Sequence, residues 1–488
     1  MNKYINESIL LTAFRTPLCS DYSLRTPHIV VSGDETAPYN PRPMASTPAL
    51  ERRTDRLLRE DYFVARLPSG MEIYGFPRPG MKRKVAAIAT RYGSIDLDFR
   101  PARGVRVRDA RGDGGFLRTP PGIAHFLEHQ LFKKQGVDML MEFGRFGASA
   151  NAFTEHCATT YYFSSTGEFE PALDLLTGFV LHPEFKAENV EKEKDIIEQE
   201  LRMYQDMPDY RGYQNLMESL YRVHPARIDI GGTVESIRRI SRNLLEDCYR
   251  VFYHPSNLTV ALAGDIDVPA LVRRIRDAEG TSPARGDGRI GRAPVVEPPE
   301  VERARVDQTM AVSRPKFHFG FKDHARRTPG DYELGREIAA GILLDLMFGR
   351  SAPLYNRLYE KGLIDDSFSY SYNAENTFAF TVIAAETDRA AELEEALREG
   401  IRAIRRRGAL AKRDLERVRR KRVGRYLRTF DTADNLVFAF LGCHLKGEDL
   451  FSYPRILKRI TRRDLLELLD DLFDEKRAAV SLILPKTA

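Results

Sequence analysis

Hydrophobic and polar residues alternate along several segments of the chain, and this period of two predicts β-strands. Residues 61–76, DYFVARLPSGMEIYGF, predict a hairpin that turns at 68–70. Further strand regions are predicted at 85–99, 148–153, 158–164 and 257–263. Other segments repeat their hydrophobic residues every three to four positions, which indicates helices. These helices are predicted at 137–146, 168–181, 187–206, 209–222, 233–239, 241–253 and 268–278.

The order of predicted elements recurs after a stretch that is rich in Gly, Pro and Arg. This stretch, residues 280–299, is the best candidate for a linker. Beyond it, a strand region at 309–322 precedes a helix at 333–348 that contains no histidine. The elements that follow are strands near 367–386, helices near 389–406 and 411–428, and a strand at 478–484. The recurrence predicts two copies of one α+β module, of which the second has lost the candidate chemistry described below.

A chain of 488 residues is too long for one ordinary hydrophobic core, and two to four domains are expected. Residues 1–56 have no clear period, and we interpret them as a flexible N-terminal extension. The proposed division continues with a first α+β domain at 57–279, which carries the candidate chemistry described below, a linker at 280–300 and a second α+β domain without that chemistry at 301–488.

The segment TPPGIAHFLEHQLF at 119–132 carries the candidate chemistry. Thr119 suits the N-cap of a helix, and on that helix His125, Glu128 and His129 share one narrow face. Two imidazoles four residues apart can bind one metal ion, and the carboxylate reaches the same volume without being a ligand. The alternative is two structural histidines beside a glutamate. A zinc site needs a third protein ligand and an open fourth position.

The predicted helix at 187–206, AENVEKEKDIIEQELRMYQD, offers candidates for the third ligand. Glu193 and Glu200 are seven residues apart, so they lie on one face, two turns from each other, among apolar residues. A carboxylate in such surroundings is costly unless it is paired or binds a metal. One of the two is expected to bind the metal while the other supports it, and ion pairs with arginines are the alternative.

Composition and charge limit the partners and the cellular location that we expect for the chain. The net charge is +5 and the sequence contains no dense Lys/Arg stripe with interleaved aromatic residues, so no nucleic-acid partner is expected. The four cysteines are widely spaced, which favours a reducing cytoplasm. No apolar run approaches the roughly 20 residues that span a bilayer, so no membrane insertion is expected.

The spacing of the candidate ligands matches a known pattern. Glu200 follows His129 by 71 residues and Glu193 precedes Glu200 by seven, after the His-x-x-Glu-His run formed by His125, Glu128 and His129. In this respect the chain resembles the pitrilysin family of zinc peptidases, the inverzincins. The family includes insulin-degrading enzyme and the mitochondrial processing peptidase, and the resemblance is closest to bacterial processing-protease-like members.

Two further stretches look familial, namely GASANAFT at 147–154 and YHPSN at 253–257. The resemblance extends from about residue 57 to the C-terminus and is closest over 120–265. It implies an α+β fold of two tandem homologous α/β-sandwich modules, each a mainly antiparallel sheet covered by helices. The second module would be free of metal.

The resemblance also implies an activity and the roles of residues in it. The chain would be a zinc-dependent endopeptidase with one Zn²⁺ per chain, bound by His125, His129 and Glu200. Glu128 would be the general base toward a metal-activated water, and Glu193 the supporting carboxylate in the catalytic centre. The substrates would be peptides or unfolded polypeptide segments.

In the resembling family an edge strand binds extended peptide, which makes Asn151 and Ala152 the expected substrate contacts. A structural amide is the alternative role for Asn151. The family also carries an Arg and a Tyr, seven apart, that hold substrate against the zinc. Tyr359 stands at the Arg position here, and Asp365 or Asp366 at the Tyr position, so this clamp is absent or comes from a partner chain.

The length equals about half of the large single-chain members of the family. We therefore expect a dimer that encloses a chamber, either a homodimer or a heterodimer with a related metal-free subunit. Two alternatives to the zinc endopeptidase stay open. One is a non-catalytic or partner-dependent scaffold subunit of a heteromeric processing peptidase, and the other is a metal-dependent hydrolase that acts on something other than peptides.

Overall fold

Two large β-sheets carry the fold, one before and one after the predicted linker. They are seen in a computed structural model that describes residues 50–55, 57–105, 107–108, 115–134, 137–280, 288–325, 327–408 and 410–486. Here, the first half is the part before residue 281 and the second half the part after residue 287. The predicted extension lies outside the described residues up to position 49. Residues 50–55, which the prediction had also assigned to that extension, form the first strand.

The strands are numbered in the order in which they occur along the chain. They are β1 (Leu50–Asp55), β2 (Glu60–Arg66), β3 (Glu72–Pro77), β4 (Lys84–Thr90), β5 (Asp98–Arg100), β6 (Leu117–Arg118), β7 (Lys133–Lys134), β8 (Val137–Asp138), β9 (Ala148–Thr154), β10 (Thr159–Ser165), β11 (Leu258–Gly264), β12 (Gly291–Arg292), β13 (Arg305–Met310), β14 (Lys316–Asp323), β15 (Ser369–Ala374), β16 (Ala379–Glu386) and β17 (Ala478–Pro485).

The helices cover the sheets. They are α1 (Ile123–Leu131), α2 (Met139–Phe143), α3 (Phe169–Leu181), α4 (Ala187–Gln205), α5 (Pro208–Leu220), α6 (Val234–Arg238), α7 (Arg242–Phe252), α8 (Val268–Glu279), α9 (Asp331–Phe348), α10 (Pro353–Glu360), α11 (Ala390–Arg407), α12 (Lys412–Arg428), α13 (Ala433–His444), α14 (Tyr453–Arg459) and α15 (Arg462–Leu472). In place of the single helix predicted at 137–146, the structure has strand β8, the short helix α2 and a 3₁₀ helix at Gly144–Phe146. Sequence reasoning assigned no element to the stretch that forms α13, α14 and α15.

The first sheet has the strand order β1-β2-β3-β11-β4-β10-β9, and the second has the order β13-β17-β14-β16-β15. Neighbouring strands are antiparallel except for the β3–β11 and β13–β17 pairs, which are parallel. Each sheet packs one face against helices of its own half, around a separate hydrophobic core. These features confirm the predicted α+β class with two modules.

The other face of each sheet is covered by a helix from the opposite half. Helix α13 places Leu436, Val437 and Phe440 against the first sheet, where they contact Phe76 and other buried strand residues. Helix α5 packs its apolar residues, including Leu216, against β14, β16 and β17 of the second sheet. Since both helices cross over, the halves share two interfaces that are as apolar as a domain core.

The predicted linker is anchored to the protein at Glu297. Its carboxylate accepts hydrogen bonds from the backbone N–H groups of Arg222, Val223 and His224, at 2.9, 2.9 and 2.7 Å, just after α5. It also accepts one from Nζ of Lys322 on β14, at 2.8 Å. The Lys322 side chain is buried and donates two more hydrogen bonds to the carbonyl oxygens of linker residues 298 and 300. The linker therefore fixes the end of α5 to the second sheet.

Two sequence-based expectations concern membranes and disulfides. In the part of the chain that the structure describes, no single helix is long and apolar enough to cross a membrane. Helices α9 and α10 satisfy that criterion only as a pair, bent by 42°. Cys157, Cys248 and Cys443 are free thiols, and Cys19 lies outside the described residues.

We predict that Glu297→Gln lowers the free energy of unfolding by about 1–3 kcal/mol, because hydrogen bonds to a charged group are lost and Lys322 stays buried. Burial on its own would raise the pKa of Glu297, but Lys322 and the three N–H groups outweigh it and lower the pKa. This stabilisation is therefore complete above the pKa of the unfolded chain and is lost as the pH falls through the folded pKa. Urea unfolding at pH 7 and in acid measures both effects.

The exposed Glu300, three residues along the linker, provides the control, and Glu300→Gln should leave unfolding unchanged. Equal stability of the Glu297→Gln variant and the wild type at pH 7 would contradict the role of the linker in holding the halves.

Candidate metal centre

Helix α1 begins at a close contact with another loop. Its N-cap is Gly122, whose φ of 86° lies in the left-handed region, and a Cβ there would lie 2.2 Å from the carbonyl oxygen of Gly231. Only glycine satisfies both conditions. The prediction that Thr119 caps this helix is wrong, because its hydroxyl donates to the carbonyl oxygen of Leu97 at 3.1 Å. The start of α1 is set by packing against the loop around residue 231 and not by a side-chain cap.

The two faces of α1 have different surroundings. Ile123, Leu127 and Leu131 are buried in the core of the first half, and this face anchors the helix. His125 and His129 project on the opposite face, with ring centroids 4.6 Å apart and nearly perpendicular ring planes. Both imidazoles are mostly buried, but a small part of each side chain, 14% for His125 and 17% for His129, stays accessible to solvent.

Helix α4 packs against α1 and brings Glu200 to the two histidines. Oε2 of Glu200 lies 3.3 Å from Nε2 of His129 and 3.9 Å from Nε2 of His125. One potential ligand atom from each of the three residues lies within 4.8 Å of the others. Two imidazoles and one carboxylate form a ligand set that suits zinc, and three protein ligands leave a position for water. The residues present thus fit the predicted metal.

Glu193 takes the outer position, which the helical spacing left open between it and Glu200 and which the family resemblance assigns to Glu193. It is 3% exposed, and its Oε1 lies 2.9 Å from Nδ1 of His129. Because an ionised carboxylate only accepts hydrogen bonds, Nδ1 carries the proton, and Nε2 of His129 is left to face Glu200. A carboxylate behind a ligating histidine orients the ring and raises its basicity.

Charge coupling among these groups is strong. Burial on its own would lower the pKa of His129, but hydrogen bonds with the carboxylates of Glu193 and Glu200 raise it to about 10. Burial would likewise raise the pKa of Glu200, but His125 and His129 lower it to about 2. Both shifts show that the centre favours positive charge beside its carboxylates.

Thr154 is a member of the site that sequence reasoning did not single out. Its hydroxyl donates to Oε2 of the buried Glu128 at 2.5 Å. Thr154 is the last residue of β9 and its strand neighbour Thr159 donates to the carbonyl oxygen of Tyr92 at 2.9 Å. In the sequence, only the position of Thr154 at the end of the GASANAFT motif could have pointed to it. That position marks Thr154 as part of a family pattern but does not show which residue it contacts.

The predicted substrate contacts lie on β9, the terminal strand of the first sheet. Ala152 is buried on the face that carries Thr154 and α1, whereas Asn151 belongs to the opposite face of the strand. The backbone N–H of Ala152 donates to Oδ1 of Asn151 at 2.8 Å. Both residues lie on the terminal strand of the sheet, and this strand packs against α1.

Comparison with known proteins agrees with these features. A sequence profile described as "Insulinase (Peptidase family M16)" matches residues 118–234, which include α1 and α4. A second profile, described as "Peptidase M16 inactive domain", matches residues 239–422. The uncharacterized zinc protease YmfH of Bacillus subtilis is 36% identical over 430 residues, which are 88% of this chain and 98% of YmfH.

Solved structures extend the likeness to the fold. The M16-like protein of Alicyclobacillus acidocaldarius superposes with a TM-score of 0.82 at 34% identity, over 90% of this chain and 99% of that chain. A protease of Helicobacter pylori shares the fold with a TM-score of 0.72 at 16% identity, over 90% of this chain and 100% of that chain. The predicted resemblance is confirmed, and the chain belongs to the insulinase (pitrilysin) family of M16 peptidases.

Proposed function

We propose that this protein is a zinc-dependent endopeptidase that hydrolyses peptides or unfolded polypeptide segments. The observation that carries the proposal is the convergence of His125, His129 and Glu200 within 4.8 Å, beside Glu128. The name of YmfH as a zinc protease supports the same metal and reaction.

The chemistry divides between the metal and Glu128. Zinc, when bound there, lowers the pKa of a water molecule from about 15.7 toward about 7 and polarises the scissile carbonyl. Glu128 takes the proton of the attacking water and passes it to the nitrogen of the leaving amine as the C–N bond breaks. The hydrogen bond from Thr154 holds Oε2 of Glu128 and so orients the carboxylate.

Substrate binding is proposed at β9. Because β9 is the terminal strand of its sheet, an extended peptide can pair with it through backbone hydrogen bonds. Asn151 and Ala152 are the proposed contacts, and the Ala152 N–H would exchange its bond with the Asn151 side chain for one with the substrate.

The alternative function, a scaffold subunit without activity of its own, differs from the proposal in whether the isolated chain cleaves peptides. Dimerisation, with a second copy or with a related metal-free subunit, stays a prediction, as does the cytoplasmic location. Residues 239–422 match the profile of the inactive domain, so the proposed activity belongs to the first half.

We expect Glu128→Gln to lower kcat by about 10²–10⁴-fold, because the general base is lost while the shape of the side chain is kept. Zinc content should stay at one ion per chain. Cleavage of a mixed peptide pool, followed by mass spectrometry, and metal analysis measure the two quantities. Glu188→Gln, an exposed acid at the start of α4, is the control. Undiminished cleavage by zinc-loaded Glu128→Gln would exclude Glu128 as the base, and an inactive zinc-loaded wild type would favour the scaffold.

Thr154→Val should lower kcat by roughly 10–100-fold with little change in KM, since one charged hydrogen bond orients the base and does not bind substrate. Thr154→Ser restores the hydroxyl and should recover most of kcat. Steady-state kinetics on a single fluorogenic peptide separates the two parameters. If the Val and Ser variants lose activity equally, Thr154 serves packing and not the orientation of Glu128.

Glu193→Gln should weaken zinc binding by about 10–100-fold, because the outer carboxylate no longer supports His129. Glu200→Gln should weaken it further, since a direct ligand is lost. Competition with a chromogenic chelator measures both affinities, and Glu191→Gln on the exposed side of α4 serves as the control. Wild-type zinc affinity of Glu193→Gln would contradict the supporting role of Glu193. Zinc binding that is weaker in Glu193→Gln than in Glu200→Gln would reverse the assignment of the two acids.

A further inference from the structure

The second half contains a counterpart of the space that holds the metal centre. Strand β15 is the terminal strand of the second sheet and pairs with β16, just as β9 is terminal in the first sheet and pairs with β10. Helix α9 packs against both β15 and α12, as α1 packs against β9 and α4. The same three-element arrangement therefore occurs once in each half, and the second copy carries different chemistry.

In this second arrangement, a buried carboxylate of α9 pairs with two cations of α12. Asp345 of α9 is buried, and its carboxylate lies 2.7 Å from Nζ of Lys421 and 2.9 Å from a guanidinium nitrogen of Arg422, both on α12. The hydroxyl of Tyr370 on β15 donates to the same carboxylate at 3.0 Å. Three donors thus compensate the one acid, so Asp345 organises the site without making it negative.

A cavity of about 550 Å³ opens beside this cluster. Phe348, Tyr355 and Phe368 form one wall, which we call the aromatic wall. The centroid of the Phe368 ring lies 5.9 Å from that of Tyr355 and 6.5 Å from that of Phe348, so the rings make a continuous apolar surface. This volume suits one bulky side chain with part of its backbone.

Cationic side chains also line the cavity. Arg350, Arg417 and Lys421, which we call the basic rim, are 78%, 39% and 45% exposed. Arg350 pairs with the exposed Asp366 at 3.0 Å, and Arg417 pairs with Asp414 at 3.1 Å. Such exposed ion pairs contribute little energy, so Arg350 and Arg417 can turn to a ligand at small cost. Lys421 stays paired with the buried Asp345, and its ammonium group has further N–H donors for a ligand.

The lining combines three cations with a single acid, Asp345, among the residues that the structure describes around the cavity. A simple anion such as phosphate would use the basic rim and leave the aromatic wall empty. A purely apolar ligand would leave the charges unused. The ligand that uses both surfaces is an apolar group that carries a carboxylate a few ångströms away.

We propose that this cavity binds the carboxy-terminal residue of a peptide, with its carboxylate on the basic rim and its apolar side chain against the aromatic wall. The choice of a peptide as the natural ligand rests on the proposed function, whereas binding itself requires neither zinc nor catalysis. The second half would then select among peptides by their free carboxyl end, while the first half cleaves them.

The test uses the full-length Glu128→Gln protein and three probes, namely N-acetylleucine, N-acetylleucinamide and inorganic phosphate. Isothermal titration calorimetry should show binding of N-acetylleucine and at least about tenfold weaker binding of the amide, which lacks the charge. Lys421→Gln and Arg417→Gln should each weaken binding of N-acetylleucine by about tenfold. In Lys421→Gln, Arg422 and Tyr370 still compensate the buried Asp345, and circular dichroism checks that both variants keep their fold.

Arg420→Gln is the matched control, because Arg420 is exposed on the same helix but does not line the cavity. Tyr355→Ala tests the aromatic wall. It should weaken the binding of N-acetylleucine and leave the binding of phosphate unchanged. Each of three results would overturn the proposal. These are equal affinity for N-acetylleucine and its amide, binding of phosphate as tight as that of N-acetylleucine, and unchanged binding of N-acetylleucine in both rim variants. A protein that binds N-acetylleucine as expected while its zinc-loaded wild type cleaves no peptide would count against the proposed function alone.

Discussion

The packing of α1 against α4 is the contact on which the rest of the site depends. It brings the carboxylates of Glu193 and Glu200 into largely buried surroundings, next to the imidazoles of His125 and His129. Buried carboxylates are tolerated only when positive charge and hydrogen bonds compensate them. The raised pKa of His129 and the lowered pKa of Glu200 express this requirement in the protein itself. A divalent cation satisfies the same requirement, which is why the ligand set and the fold are consistent with each other.

The second constraint is the exchange of helices between the halves. Helix α5 comes from the first half and covers the second sheet, while α13 comes from the second half and covers the first sheet. Removing either half would expose an apolar sheet face, at a cost of the order of 25 cal/mol per Å². The Glu297 anchor adds a polar link at the end of α5. Although the metal ligands all come from the first half, the sheet behind them depends on the second.

The two halves show how one arrangement of elements can carry two kinds of chemistry. In the first half, α1 supplies the imidazoles of His125 and His129, which lie next to the carboxylate of Glu200. In the second, Asp345 faces Lys421 and Arg422, and charge compensation is complete within the protein. The arrangement of elements is shared, whereas the side chains differ: two imidazoles lie next to Glu200 in the first half, and an ammonium and a guanidinium lie next to Asp345 in the second.

The sequence by itself determined the local features of this protein. The helical period placed His125, Glu128 and His129 on one face, and the spacing of Glu193 and Glu200 selected two acids out of many on α4. Together with the motif order, this was enough to identify the family and the α+β class. The assignment of residues to helix faces depends on neighbours within a few turns of one element, where periodicity is reliable, whereas the family identification depends on the order and spacing of motifs along the chain.

Only the tertiary structure decided the contacts between distant residues. It joined Glu193 to Nδ1 of His129 and Thr154 to Glu128, replaced the expected Thr119 cap with Gly122, and added β1 to the sheet. It also revealed that α5 and α13 cross between the halves. The physical reason is that these contacts join residues tens to hundreds of positions apart. Their partners are set by the packing of whole sheets and helices, which no local pattern in the chain records.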